Sequence, residues 1–238
     1  MKAKPVLDRQ IFLREVELFQ DLTSDEVEAL GERMPLKEVE AGTVFYSPQE
    51  PTEVLFLVKS GRVRLYHLSI EGKDFTTAIL EAGTFFGEMT LLGQALYSSY
   101  AEAMTPCTLC LMSRDDVKTH LLGNMRIAYR IVEMLGQRLI ETEQRLADLA
   151  LKRVPARLAS LLLELAHKHA DYEQRAGIPH TGPVEVSCTH EELAHLVGVH
   201  RETTTRILNE MRSRGLIELR RGRVALLNPE GLREFSTG

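Results

Sequence analysis

Cysteine is scarce in this chain. Cys107, Cys110 and Cys188 are the only three among 238 residues, too few for a disulfide framework and in keeping with a reducing cytoplasm. Long apolar runs are missing too. No stretch approaches the ~20 residues that a membrane span requires. Met1–Gln20 carries basic residues but not the continuous apolar segment of a secretory signal. A membrane partner is therefore not expected. There is no phosphate-cradling G-x-x-x-x-G-K-S/T loop, no G-x-S-x-G elbow and no convincing acid–base pair, so an enzyme is not expected either. Metal-ligand spacing is also lacking. His190 and His195 stand five apart, about 140° around a helix, and His167 and His169 two apart, about 200°, so neither pair shares a face. Cys107 and Cys110 have the C-x-x-C form but fall in a predicted strand, where positions three apart face opposite sides. A buried structural role is the expectation for both.

An excess of positive charge is lacking as well: 29 Lys and Arg stand against 34 Asp and Glu, for a net −5. The deficit is uneven. Residues 151–238 hold 13 basic and 11 acidic side chains, +2, whereas residues 1–150 hold 16 and 23, −7. Nucleic-acid binding by the C-terminal part would have to rest on a few placed arginines and on pairing of two copies, not on a basic surface.

What that part does contain is a helix–turn–helix pattern over Thr189–Arg214. Thr189 followed by Glu192 has the spacing of a capping box. Leu193, Ala194, Leu196 and Val197 form an apolar run, and Gly198 supplies the turn. The second helix starts near His200. Ile207, Leu208 and Met211 share one side, and Arg201, Glu202, Thr205 and Arg206 another. A helix with a dry back and an Arg-Glu-Arg front suits a DNA major groove, because Arg bridges guanine O6 and N7 and Glu accepts from cytosine N4.

Upstream, Thr23 or Ser24 caps a helix carrying Val27 and Leu30, ended by Pro35. From Leu36 to Met112, short runs rich in Val, Leu, Phe and Tyr alternate with glycine and proline turns, which predicts an all-β barrel or roll. Val63, Leu65 and His67 alternate with Arg62, Arg64 and Tyr66 in the manner of a half-buried strand. Ser113–Asp116 opens a helical region. Positions 125, 128, 132, 135, 139, 142, 146 and 149 then step by 3 and 4 and are apolar except Thr142. That heptad seam predicts a long helix that pairs with a second copy of itself, a parallel homodimer, with packing against its own barrel as the alternative. Val154-Pro155 marks a break, and Leu151–Pro155 is the expected hinge. The helix after it is expected to end near Asp171. Two short strands around Arg220-Arg221-Gly222 complete a small basic hairpin, or wing.

This order resembles the CRP/FNR superfamily of bacterial transcription regulators. The resemblance is carried by Phe86-Gly87-Glu88-Met89-Thr90-Leu91-Leu92, by the long helix ending in Leu149-Ala150, and by Val199-His200-Arg201-Glu202-Thr203-Thr204-Thr205-Arg206. It implies an α+β architecture in three parts. Residues 1–123 would be an effector-sensing, cyclic-nucleotide-binding-type β-roll (jelly roll), 124–150 a dimerisation helix, and 151–238 a winged helix–turn–helix. The DNA-facing residues it implies are Thr189, His200, Arg201, Glu202, Thr205, Arg206 and Arg221. The implied operator is a TGTGA-like palindrome with halves about 34–36 Å apart. The implied setting is a cytoplasmic activator with double-stranded DNA and RNA polymerase as partners. The iron–sulfur branch of the family needs four cysteines, which this chain does not have.

In the cAMP-responsive members, the Glu of the G-E loop holds the ribose and an Arg-Ser pair about ten residues on neutralises the phosphate. Gly87, Glu88, Met89, Ser98, Ser99 and Thr142 are the corresponding effector candidates here. The pair itself departs from the pattern, since Tyr97 or Ser98 stands where the arginine belongs. A buried anion without a cation partner is costly. Serine hydroxyls, Tyr97, backbone N–H groups, or Arg62 or Arg64 swinging in are the substitutes the sequence offers. cAMP, another small effector, effector-independent DNA binding, and redox or metal control all stay open. A cyclic-nucleotide-binding regulatory subunit without DNA function is the remaining alternative.

Overall fold

In a computed structural model, the described residues are 11–50, 52–72, 74–87, 99–175 and 182–237, the last turn before 176 by its backbone alone. They divide into two units, Met1–Leu139 and Ile140–Gly238. The first contains the expected roll. Its strands are β1 (Leu36–Val39), β2 (Val44–Tyr46), β3 (Val54–Ser60), β4 (Val63–Leu68), β5 (Asp74–Leu80), β6 (Phe85–Phe86), β7 (Ser99–Ala103) and β8 (Cys107–Ser113). They form two antiparallel sheets, ordered β1-β8-β3-β6 and β2-β7-β4-β5.

Tyr46, Phe56, Val58, Val63, Phe86 and Leu109 make one buried cluster, with the Phe56 and Phe86 rings stacked 4.8 Å apart. A second cluster joins Leu55, Leu57, Phe85, Cys110 and Met112 to helical residues Phe19, Leu30 and Ile127 and to Met34 in the bend before β1. The first sheet is therefore covered on both faces, which is why β3 reads as an unbroken apolar run and not as an alternation. Cys107 falls in one cluster and Cys110 in the other, as opposite faces of β8 require.

Strict alternation fails on β4. A bulge between Leu65 and Tyr66 shifts the pairing with β5. Tyr66 is buried, because Tyr100 stacks on its ring at 5.1 Å and the Arg64 guanidinium lies 4.2 Å above it.

Helix α1 (Ser24–Glu32) begins in a capping box between Thr23 and Glu26. Helix α2 (Met125–Leu151) is the predicted long helix. It uses two faces. Ile127, Ile131 and Met134 pack into the second cluster, and so does Leu135, which the heptad pattern had placed in the seam, whereas Val132, Leu139 and Leu146 of the seam stay 67%, 59% and 67% exposed in the single chain.

In the second unit α3 (Val154–Arg175) follows a two-residue break, and it runs past the expected end at Asp171. The segment 176–181 lies outside the described residues. Ion pairs bridge the break. Arg145 meets Glu164 at 2.7 Å, Lys168 meets Glu141 at 2.6 Å, and Lys152 meets Asp148 at 3.0 Å and Ser160 at 2.8 Å. Burial alone would raise the Glu164 carboxyl, but Arg145, hydrogen-bonded to it, and Lys168 reverse this and hold it below the usual carboxylate range. A lowered folded pKa contributes stability above the unfolded value that is lost as pH falls through the folded one. Glu164→Gln is therefore expected to destabilise the protein by about 1.5–3 kcal/mol at pH 7. Thermal unfolding from pH 7 to 3 should show that gap closing as acid protonates the wild-type carboxylate.

Helix α4 (His190–Val197), α5 (Arg201–Ser213) and α6 (Pro229–Thr237) pack with a three-stranded sheet, β10 (Ile217–Arg220), β11 (Arg223–Leu226) and β9 (Glu185–Val186), in the order β10-β11-β9. Helix α6 is not among the elements expected from sequence. Its signal was Asn228 before Pro229: the Asn side chain accepts the Gly231 N–H at 2.9 Å, and Pro suits the first helical position.

Candidate nucleic-acid interface

Thr189 caps α4 reciprocally. Its hydroxyl accepts the Glu192 N–H at 3.2 Å, and the Glu192 carboxylate accepts the Thr189 N–H at 2.7 Å. The Thr189 amide is thus occupied by Glu192. An anion reaches it only by displacing that carboxylate, and the exposed hydroxyl is the nearer contact for a phosphate. Gly198 ends α4 at φ 74°, a left-handed conformation that a glycine adopts without strain. His200 is the N-cap of α5 but makes no side-chain capping bond.

The back of α5 is Thr204, Ile207, Leu208 and Met211, all fully buried, as are Leu193 and Ala194 of α4. This burial fixes the rotation of the helix. Arg201, Glu202, Thr205, Arg206 and Asn209 then line one open concavity. Arg201, Glu202 and Arg206 are exposed and make no hydrogen bond or ion pair among the described residues. Asn209 was missed from sequence, although it lies one helical turn beyond Thr205, and an amide can pair with adenine N6 and N7.

Thr205 is less free than its neighbours. Its hydroxyl lies 3.0 Å from Nδ1 of His190, the first residue of α4. Burial, and then the positive charge of Arg201, push the His190 pKa below its ordinary value, so the ring is neutral at pH 7.

The wing is less basic than its sequence. Arg220 pairs with Glu185 and with Glu218, and Arg223 pairs with Glu185 at 3.2 Å. Arg221, at the turn, is exposed and has no such partner among the described residues. One wing arginine of three is left for an external anion.

Glu88, Met89 and Ser98, and Tyr97 with them, lie outside the described residues. Ser99 opens β7 opposite His67. Thr142 is exposed on α2, in the second unit. Gly87 has φ 91°, and a Cβ there would sit 2.4 Å from the Val54 carbonyl oxygen. Backbone packing alone thus requires glycine. Gly87→Ala should displace β3 or β6 and lower the melting temperature of the roll by several degrees, which differential scanning calorimetry without any ligand would register.

Neither substitute arginine is uncommitted. Arg64 pairs with Asp74 and Glu102, each at 2.9 Å, and Arg62 with Glu81 at 3.5 Å. A different cation approaches the strand that ends next to Gly87: Arg138 of α2 donates to the Phe85 carbonyl at 3.0 Å, with its guanidinium 5.4 Å from the Phe85 ring. No cluster of three metal-ligating side chains occurs among the described residues, and none of their helices is long and apolar enough to cross a membrane.

Residues 36–123 match the family model of the cyclic nucleotide-binding domain, and 156–235 that of the Crp-like helix-turn-helix domain. The transcriptional regulator SdrP of Thermus thermophilus is 33% identical over 199 residues, covering 82% of this chain and 91% of that protein. A CRP-like cAMP-activated global transcriptional regulator of Mycobacterium tuberculosis is 29% identical over 217 residues, covering 90% and 94%. Among solved structures, a CRP/FNR-family transcriptional regulator from Thermus thermophilus superposes with a TM-score of 0.64 at 30% identity, covering 86% of this chain and 99% of that one.

Proposed function

The chain belongs to the CRP/FNR family of transcription regulators, and on that premise we propose that it acts as a homodimer which reads a TGTGA-like palindrome. The observation that carries this is the front of α5, where Arg201, Glu202 and Arg206 are exposed, make no hydrogen bond or ion pair among the described residues, and are held in register by a buried back. Arg201 and Arg206 take guanines, and Glu202 takes a cytosine. The Thr189 hydroxyl, His200 and Arg221 meet phosphates. The exposed seam of α2 supplies the dimer contact. Recruitment of RNA polymerase by an activator in the cytoplasm completes the proposal. The test is selection from random duplex DNA by the full-length protein. Recovery of an inverted TGTGA-like repeat is the expected result, and recovery of no common sequence would remove this reading.

For the effector, the proposal is a cyclic nucleotide in the roll, with cAMP the first to try because a relative is cAMP-activated. Arg138 supplies the cation that Tyr97 and Ser98 lack. Effector-independent binding is the second reading, favoured by the carboxylate partners of Arg62 and Arg64. Calorimetry with cAMP separates the two: heat that Arg138→Met abolishes supports the first, and no heat with unchanged DNA affinity supports the second. The break at Lys152–Arg153 would then transmit the change, against the resistance of the Arg145–Glu164 and Lys152–Asp148 pairs.

A further inference from the structure

We propose that His190 sets the polarity that the Thr205 hydroxyl shows to a base edge, so that one proton on this imidazole changes both the strength and the base preference of DNA binding. The inference rests on the reading of α5 as the groove-facing helix. Thr205 stands within the Arg201–Asn209 concavity, with its hydroxyl 3.0 Å from His190 Nδ1. A threonine hydroxyl has one hydrogen and two lone pairs. In the neutral tautomer that carries its hydrogen on Nε2, Nδ1 is bare and accepts the hydroxyl hydrogen, and Thr205 then offers the groove only lone pairs. Its natural partners are then donors, adenine N6 or cytosine N4. When Nδ1 carries a proton it donates to Thr205 Oγ1, and the hydroxyl hydrogen turns outward. The natural partners become acceptors, guanine O6 and N7 or thymine O4.

The surroundings fix the direction of the proton linkage. From α5, Arg201 acts on the ring, while Glu202 and Arg206 flank Thr205 in the concavity and His200 caps the helix. On α4, Glu191 and Glu192 share the first turn with His190, and Glu192 is already bonded to the Thr189 amide. In the free protein, burial and Arg201 keep the ring neutral. A duplex brings phosphates to the start of α4 and offsets the Arg201 charge. The complex therefore holds the proton more tightly than the free protein does, and affinity rises as pH falls, by at most one proton per half-site.

The experiment measures anisotropy of the full-length protein on an inverted TGTGA repeat from pH 5.5 to 8.5 at fixed ionic strength, with base selection at pH 6 and pH 8. Wild type should bind about tenfold tighter at pH 6 than at pH 8, and should select a different base at one position of each half-site. His190→Gln keeps an amide beside Thr205 but cannot titrate, so its profile should be flat and its selected base the same at both pH values. Thr205→Val should lose the pH-dependent base choice, and Thr205→Ser should keep it. Should the glutamine variant not fold, the Thr205 pair decides alone. Parallel pH profiles for wild type and His190→Gln, or a pH-dependent base choice retained in Thr205→Val, would overturn the proposal. Failure of wild type to retain any duplex at any pH would remove the groove-facing reading itself.

Discussion

Leu139→Asp is expected to give a folded monomer that no longer retains operator DNA. Leu139 is 59% exposed in the single chain and sits in the seam between Val132 and Leu146, which are each 67% exposed. Its replacement therefore removes nothing from the cores of the chain itself, and the monomer should still unfold cooperatively, its melting temperature lowered only by the lost dimer contact. In a parallel dimer the two seams meet, and the two aspartates would face one another in an apolar contact. Burying unpaired charges there costs several kcal/mol per ion, more than a pairing of this length can absorb. A monomer has one reading helix, and loss of the second removes an avidity gain of about 10²–10⁴. Thr142→Leu should act in the opposite direction, since it replaces the one polar seam residue and so strengthens pairing. Sedimentation velocity and operator anisotropy on the two variants measure both effects. A Leu139→Asp protein that stays dimeric and binds normally would place the interface elsewhere on the chain.

The parts of this protein that were legible from sequence are those whose causes are local. Thr189 and Glu192 are three residues apart, Gly198 follows the apolar run directly, and Ile207, Leu208 and Met211 lie close together along one helix. Such spacings declare helix, turn and buried face without reference to the rest of the chain. The two-residue break after Leu151 was equally local, because Pro155 imposes it. What stayed hidden was pairing between distant segments. Glu185 neutralises Arg220 and Arg223 from a strand more than thirty residues earlier, so a wing that reads as three cations presents one. Arg64 is held by Asp74 and Glu102 across three strands, and the bulge beside Tyr66 depends on the partner strand. His190 meets Thr205 only because Gly198 turns α4 back against α5. The partly neutralised wing and the tethered Thr205 both narrow the DNA-facing set, which leaves Arg201, Glu202, Arg206 and Arg221 as its charged side chains without a hydrogen-bond or ion-pair partner among the described residues.

Arg206→Ala should reduce operator affinity by about 2–6 kcal/mol in the dimer, roughly 30-fold to 10⁴-fold, because each half-site loses a bidentate guanine contact worth about 1–3 kcal/mol. Random duplexes should lose far less, so the ratio of specific to non-specific binding carries the result. The fold should tolerate the change, since Arg206 is exposed and makes no hydrogen bond or ion pair among the described residues. Arg206→Lys keeps the charge but not the planar fork, and should recover non-specific binding while recovering little discrimination. Arg221→Ala should behave differently. A phosphate contact carries no sequence information, so its loss weakens every duplex alike and lowers the salt slope by about one per half-site. Glu202→Ala should relax the choice at the cytosine position, and by removing a carboxylate near the phosphates it should tighten binding to non-operator DNA. These four variants, titrated on one operator and one scrambled duplex at two salt concentrations, separate base reading from charge. If Arg206→Ala and Arg221→Ala gave the same uniform loss on both duplexes, α5 would be lying along the backbone and not in the groove.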